Sequence, residues 1–172
     1  MTRYDIVSQE SRVWIEASSS LHPIHVEAGE LQGHVDLTFT DQGEVDLDQP
    51  VAGHVQVDVR ELDTGNSLMD KETERRLEVK RYPYLTGELT SLVASEGANR
   101  YHAEGDITVR GVSRRVAGDL IITGGDEAGT VVIEGEQEFD VRDFDLDPPK
   151  MLMLKVHPEV QVGVRVIAKK AG

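Results

Sequence analysis

The sequence predicts an all-β protein, an antiparallel barrel of about eight strands with one surface helix. Three observations carry this. Apolar residues alternate with polar ones through segment after segment, the period of a strand with one buried face. Short turns rich in Gly, Asp and Asn separate the segments, as at Gly97-Ala98-Asn99 and Gly124-Gly125-Asp126. A single stretch carries helix start and stop signals. Closing the sheet removes exposed edges, which favours a barrel over a two-sheet sandwich.

The first alternating run covers 13–18. In 31–39, Leu31, Gly33, Val35, Leu37 and Phe39 share one face, and Gln32, His34, Asp36 and Thr38 the other. Pro50 is acceptable as a strand start. After it, Val51, Gly53, Val55, Val57 and Val59 alternate with Ala52, His54, Gln56, Asp58 and Arg60. The helix is predicted within 66–81, crossing the barrel surface or its end. There Ser67-Leu68-Met69-Asp70 has capping-box form, Glu72 can pair with Arg76, and Pro83 blocks continuation. Further runs fall at 85–93, 101–109, 115–123 and 130–141, and the longest at 156–167. The stretch 105–116 reads as a hairpin, with Ile107 and Val109 alternating with Asp106, Thr108 and Arg110 before a turn containing Gly111.

At 172 residues the chain is long enough for a sizeable core and reads as one domain over 1–172. Its lack of cysteine removes disulfides, a thiol nucleophile and thiolate-held zinc. With 18 basic and 32 acidic residues the net charge is −14, which repels phosphate backbones and anionic headgroups. No nucleic-acid partner is expected. No run approaches the roughly 18 apolar residues of a membrane-spanning helix, so no integral membrane segment is expected. Polar residues follow Met1-Thr2-Arg3-Tyr4-Asp5-Ile6-Val7 where a signal peptide needs an apolar stretch. A cytoplasmic location is expected, a secreted form with its signal removed being the alternative.

The strongest case for catalysis is His22-Pro23-Ile24-His25, with His34, His54 and His102 elsewhere, serving a metal-assisted hydrolase or isomerase. Pro23 precludes a regular helical pair, His34 and His54 fall on polar strand faces, and no compact carboxylate–histidine signature accompanies them. These read as surface or hydrogen-bonded histidines. No Gly-x-Ser-x-Gly elbow is present. Glu134 and Glu136 share a strand face, but with 32 carboxylates such pairs arise by coincidence. No catalytic residue, metal ligand or cofactor is assigned, and the chain is read as a non-enzyme.

Four ordered motifs resemble those of the YceI-like, polyisoprenoid-binding family. They are Asp63-Thr64-Gly65-Asn66 followed by Asp70, Lys80-Arg81-Tyr82-Pro83, Gly105-Asp106-Ile107-Thr108 with Gly111-Val112-Ser113, and Arg142-Asp143-Phe144. Where the family often has His-Ser, this chain has Glu10-Ser11. After Arg142-Asp143-Phe144 the usual glycine is Asp145. The resemblance implies an extended, lipocalin-like barrel whose lumen holds a long apolar isoprenoid chain, with no catalytic residues established for the family as a whole. Candidate lumen residues are the inward Phe39, Val57, Val109, Leu120 and Val162, with Phe144, Met151, Met153 and Leu154 near a mouth. Met151-Leu152-Met153-Leu154 would suit an adaptable flap, or equally a hydrophobic plug. Periodicity alone leaves open a filled barrel acting in protein association, because an inward apolar face serves either purpose. A homodimer is one open partner state; the small-molecule partner expected is a long-chain isoprenoid or similar apolar lipid.

Overall fold

The computed structural model describes residues 1–126, 128–148, 150–151 and 154–172, with the backbone alone at Lys150, Met151 and Leu154. Its strands are β1 (Thr2–Ile6), β2 (Arg12–Ser19), β3 (Ile24–Gly29), β4 (Gln32–Leu37), β5 (Ala52–Asp58), β6 (Tyr84–Ala94), β7 (Arg100–Val109), β8 (Val112–Thr123), β9 (Thr130–Asp140), β10 (Lys150–Met151) and β11 (Leu154–Lys170). Helix α1 spans Ser67–Arg76.

Eight strands form the ring, in the order β1-β4-β5-β6-β7-β8-β9-β11, and β11 closes it by pairing with β1 at Tyr4↔Lys170 and Ile6↔Ala168. All pairings are antiparallel. β2 continues β1 after a short 3-10 turn and runs beside the earlier part of β11, with Val162 opposite Ile15, and β3 pairs with β2. These two strands extend the barrel beyond the ring. The predicted 105–116 hairpin is present: Val109 pairs with Val112, and Arg110 and Gly111 both have positive φ, at 48° and 74°. Positive φ at both central residues matches a two-residue turn to the strand twist. A Cβ at Gly111 would stand 2.8 Å from the Tyr82 ring, so close approach also requires glycine there.

Strands β1 and β3 lie outside the predicted runs. The predicted capping box differs too: Ser67 is inside the helix, and Asn66 Oδ1 accepts from the backbone N–H groups of Leu68 and Met69 at 3.0 and 3.2 Å. Asp70 is drawn the other way, accepting the Thr64 hydroxyl at 2.6 Å and the Thr64 N–H at 3.0 Å. Asn is as good a cap as Ser, and its side chain was one residue better placed. Glu72 does reach Arg76, at 3.4 Å, and Arg75 more closely, at 2.5 Å. Met69 packs with Ile24 and Val156, which sets α1 on the end of the barrel where β3 and β11 begin.

The opposite end is solid. Leu37, Ile122, Val131 and Ala168 are each 0% exposed. Phe39 meets Tyr4 edge to face at 5.8 Å, and the Tyr101 hydroxyl accepts from the Val45 N–H at 2.8 Å. The Arg3 guanidinium clasps Asp36 across β1 and β4 at 2.9 and 3.0 Å.

Candidate functional site: an apolar lumen

Between the solid end and α1 the barrel encloses a cavity of about 580 Å³. Strand alternation supplies its wall. Val57, Val109, Leu120 and Val162 line it from β5, β7, β8 and β11, and Phe144 lines it near the helix end. Phe39 is not among the lining residues; it packs into the solid end, its ring against Gly124. Met153 lies outside the described residues, as do the side chains of Met151 and Leu154 and hence the flap as a whole.

The volume comes from a feature that reading the sequence for apolar faces passes over. Each strand from β5 to β9 places one glycine on the cavity lining: Gly53, Gly87, Gly105, Gly118 and Gly135. A Cβ at Gly135 would stand 2.5 Å from Leu120 Cδ2, and one at Gly53 would stand 3.2 Å from Leu89 Cβ. Bulky side chains therefore lie flat over neighbouring glycines instead of reaching across the lumen. The available signal was the in-strand glycine at inward parity, which marks close backbone approach or room for a ligand.

The rim at the helix end is formed by α1 and the segment after β9. Arg110 Nη2 donates to the Asp145 carbonyl at 2.7 Å and Arg76 Nη1 to the Asp147 carbonyl at 3.3 Å. Phe144 is buried, and Leu146 packs against the core. Asp145 holds φ 57°, the left-handed conformation that glycine would adopt without a Cβ penalty. The wall itself has a break: β8 and β9 pair from Thr123↔Val132 only as far as Leu120↔Gly135, whereas β7 and β8 pair down to their shared turn.

Charged groups decorate the outside. His25 is held between Glu16 and Glu27, with its Nε2 3.1 Å from Glu27. The bonds to Glu27 and then to Glu16 raise the His25 pKa above the ordinary histidine value, and His25 in turn lowers that of Glu27. His22 Nδ1 bonds the Pro23 carbonyl at 2.8 Å, turned to its own backbone. His54 pairs with Glu88, and His102 with Asp119 at 3.2 Å. Among the described residues, no three His, Asp or Glu side chains gather as a metal site. No helix among them is long and apolar enough to cross a membrane.

No curated protein matches the chain. Solved structures with the same fold include Burkholderia cenocepacia BcnA, at 18% identity over 96% of this chain and 100% of that one, with a TM-score of 0.77. A polyisoprenoid binding domain from Saccharophagus degradans, implicated in plant cell wall breakdown, matches at 13% identity over 99% and 100%, with a TM-score of 0.78. The Campylobacter jejuni YceI protein matches at 15% identity over 86% and 85%, with a TM-score of 0.66. At such identities the likeness concerns the fold. The YceI-like domain model, however, matches residues 4–168. The chain belongs to the YceI-like family.

Proposed function

We propose that this protein binds a long apolar lipid of isoprenoid type in its lumen and carries or sequesters it, without acting as an enzyme. The observation that carries this reading is the cavity of about 580 Å³ walled by aliphatic side chains and glycine. Its size falls within the roughly 300–1,000 Å³ of small-molecule sites. Membership in the YceI-like family and the fold shared with a polyisoprenoid binding domain support the same ligand class. A filled barrel describes the closed end alone.

The energetics suffice without a charged anchor. Burying ten methylene equivalents contributes roughly 8 kcal/mol, against association costs of at least about 4 kcal/mol. Narrowing the lumen should therefore act through volume. Val109→Trp and Val57→Trp are expected to weaken binding of a polyprenyl probe by about 0.8 kcal/mol per methylene displaced, or to strain the wall. The outward Glu134→Ala should leave binding unchanged. The measurement is affinity against tail length by lipid competition, with circular dichroism confirming folding. Trp14 is unsuited as the reporter, because its indole lies on the outside over Gly163 with the Arg12 guanidinium 5.2 Å above it. Affinity indifferent to tail length sinks the reading.

A further inference from the structure

Helix α1 turns one face to the lumen. Met69, Thr73, Arg76 and Leu77 line the cavity at the i, i+4, i+7 and i+8 spacing of a single helical stripe. Met69 and Leu77 are buried and apolar, and the Thr73 hydroxyl is spent on the Met69 carbonyl at 2.9 Å. Arg76 is the exception on that face, a cation beside an apolar cavity. Its Nη1 donates to the Asp147 carbonyl at 3.3 Å. Its Nε is buried and has no hydrogen-bond partner among the described residues. Glu72 Oε1 stands 3.4 Å from that nitrogen, but Arg75 already holds both Glu72 oxygens, at 2.5 and 3.0 Å.

A buried N–H without an acceptor is costly, and more so on a charged group. The helix dipole favours Arg75 and Arg76 in the last turn of α1, which explains a cation there but not an Nε turned out of water. Nε–H and one Nη2–H project from the same edge of the planar guanidinium, the edge that grips a carboxylate or phosphate through two parallel bonds. The bond to Asp147 uses Nη1 and leaves this edge to a ligand. The side chain as a whole is 29% exposed, which places it at the rim, where the head of a chain lying in the lumen would emerge. The acids around it are partly engaged: Glu72 by Arg75, Asp145 with Arg114 at 3.8 Å, and Glu78 with Arg110 at 4.0 Å. Asp147, also on the lining, meets Arg76 through its carbonyl. The net charge of −14 acts at long range and is screened beyond about 10 Å at 0.1 M salt, whereas a single head in contact answers first to Arg76.

We infer that Arg76 is the head-group anchor of the lumen, its Nε–Nη2 edge taking an oxyanion, a carboxylate or phosphate, at the end of an apolar chain whose tail lies toward the closed end. The inference rests on the lipid-binding reading above, with the tail supplying affinity and the head setting preference. Competition binding with geranylgeraniol, geranylgeranoic acid and geranylgeranyl monophosphate tests it on the unmodified chain at pH 7.5. The acid and the phosphate should each bind about tenfold more tightly than the alcohol, and a gain confined to one of them assigns the head to that class. Arg76→Gln should remove that gain and leave the alcohol within about twofold, while Arg76→Lys, which keeps the charge without the fork, should fall between. Oxyanion probes that bind no better than the alcohol overturn the anchor while leaving the lumen reading in place, and so does equal loss of alcohol and oxyanions in folded Arg76→Gln. If none of the three probes binds, the lumen reading falls and the anchor with it.

Discussion

The two ends of the barrel use the same strands to opposite effect. At the closed end inward positions carry Leu37, Ile122, Val131 and Tyr101, whose side chains meet across the axis and exclude solvent. Toward α1 the inward positions of the strands alternate glycine with aliphatic residues, and Leu89 and Leu120 lie along the wall. One end is a core and the other a container. What separates them is where glycine falls among the inward positions, not how apolar the inward face is.

Truncation should expose the difference most strongly. Leu37→Ala removes a fully enclosed side chain and is expected to cost about 3 kcal/mol by denaturant unfolding. Leu120→Ala removes a side chain that already borders open space, so about 1 kcal/mol is expected. Equal costs would mean that the cavity is packed in solution and that the two ends are alike.

A smaller effect should come from the cover over the hollow end. Asn66 alone caps the two N–H groups of Leu68 and Met69, so Asn66→Ala should cost about 1 kcal/mol. Met69 seats the helix against Ile24 and Val156, so protection from hydrogen exchange should fall around β3 and α1 before it falls at Leu37 or Val131. Loss of protection at both ends together would show that the cover and the plug unfold as one unit.

The contrast between the ends also marks what the sequence could disclose. Runs such as 31–39 and 101–109 declare strands because period-two alternation is a local property. The helix declared itself through Pro83 and the Glu72–Arg76 spacing. β3 has the same alternation in Ile24, Val26 and Ala28, but His25 among them and His22 just before read as candidate chemistry instead of register. β1 is five residues long and gains its place from distant partners, Val35 and Lys170, which no local pattern encodes. The lumen was half legible. Inward residues such as Val109 and Val162 were identified from parity, whereas Phe39, inward by the same parity, went to the plug because position along the axis depends on stagger between strands. The break in the wall follows from where the β8–β9 ladder ends, a property of two strands together.

The smallest expected effect distinguishes the ends by pH. At the closed end, the bond from Arg3 holds the Asp36 pKa below its ordinary value of 3.8. A lowered carboxyl pKa contributes stability above the unfolded value and loses it as pH falls through the folded one, so this clasp yields on the acid side. On β3, the bonds from Glu27 and Glu16 hold the His25 pKa above its ordinary 6.5. A raised histidine pKa contributes below the unfolded value and is lost as pH rises through the folded one, so this clasp yields on the alkaline side. Solvent reaches His25 freely, which keeps the effect local and small. Amide protection, corrected for the intrinsic rise of exchange with pH and read from pH 5 to 9, should therefore fall in β3 above about pH 6.5 while protection in β4 around Asp36 stays unchanged. His25→Gln should abolish that step, and 50 mM to 500 mM salt should blunt it, since exposed pairs are screened. A step in β4 over the same range, or one that persists in His25→Gln, would assign the titration to another group.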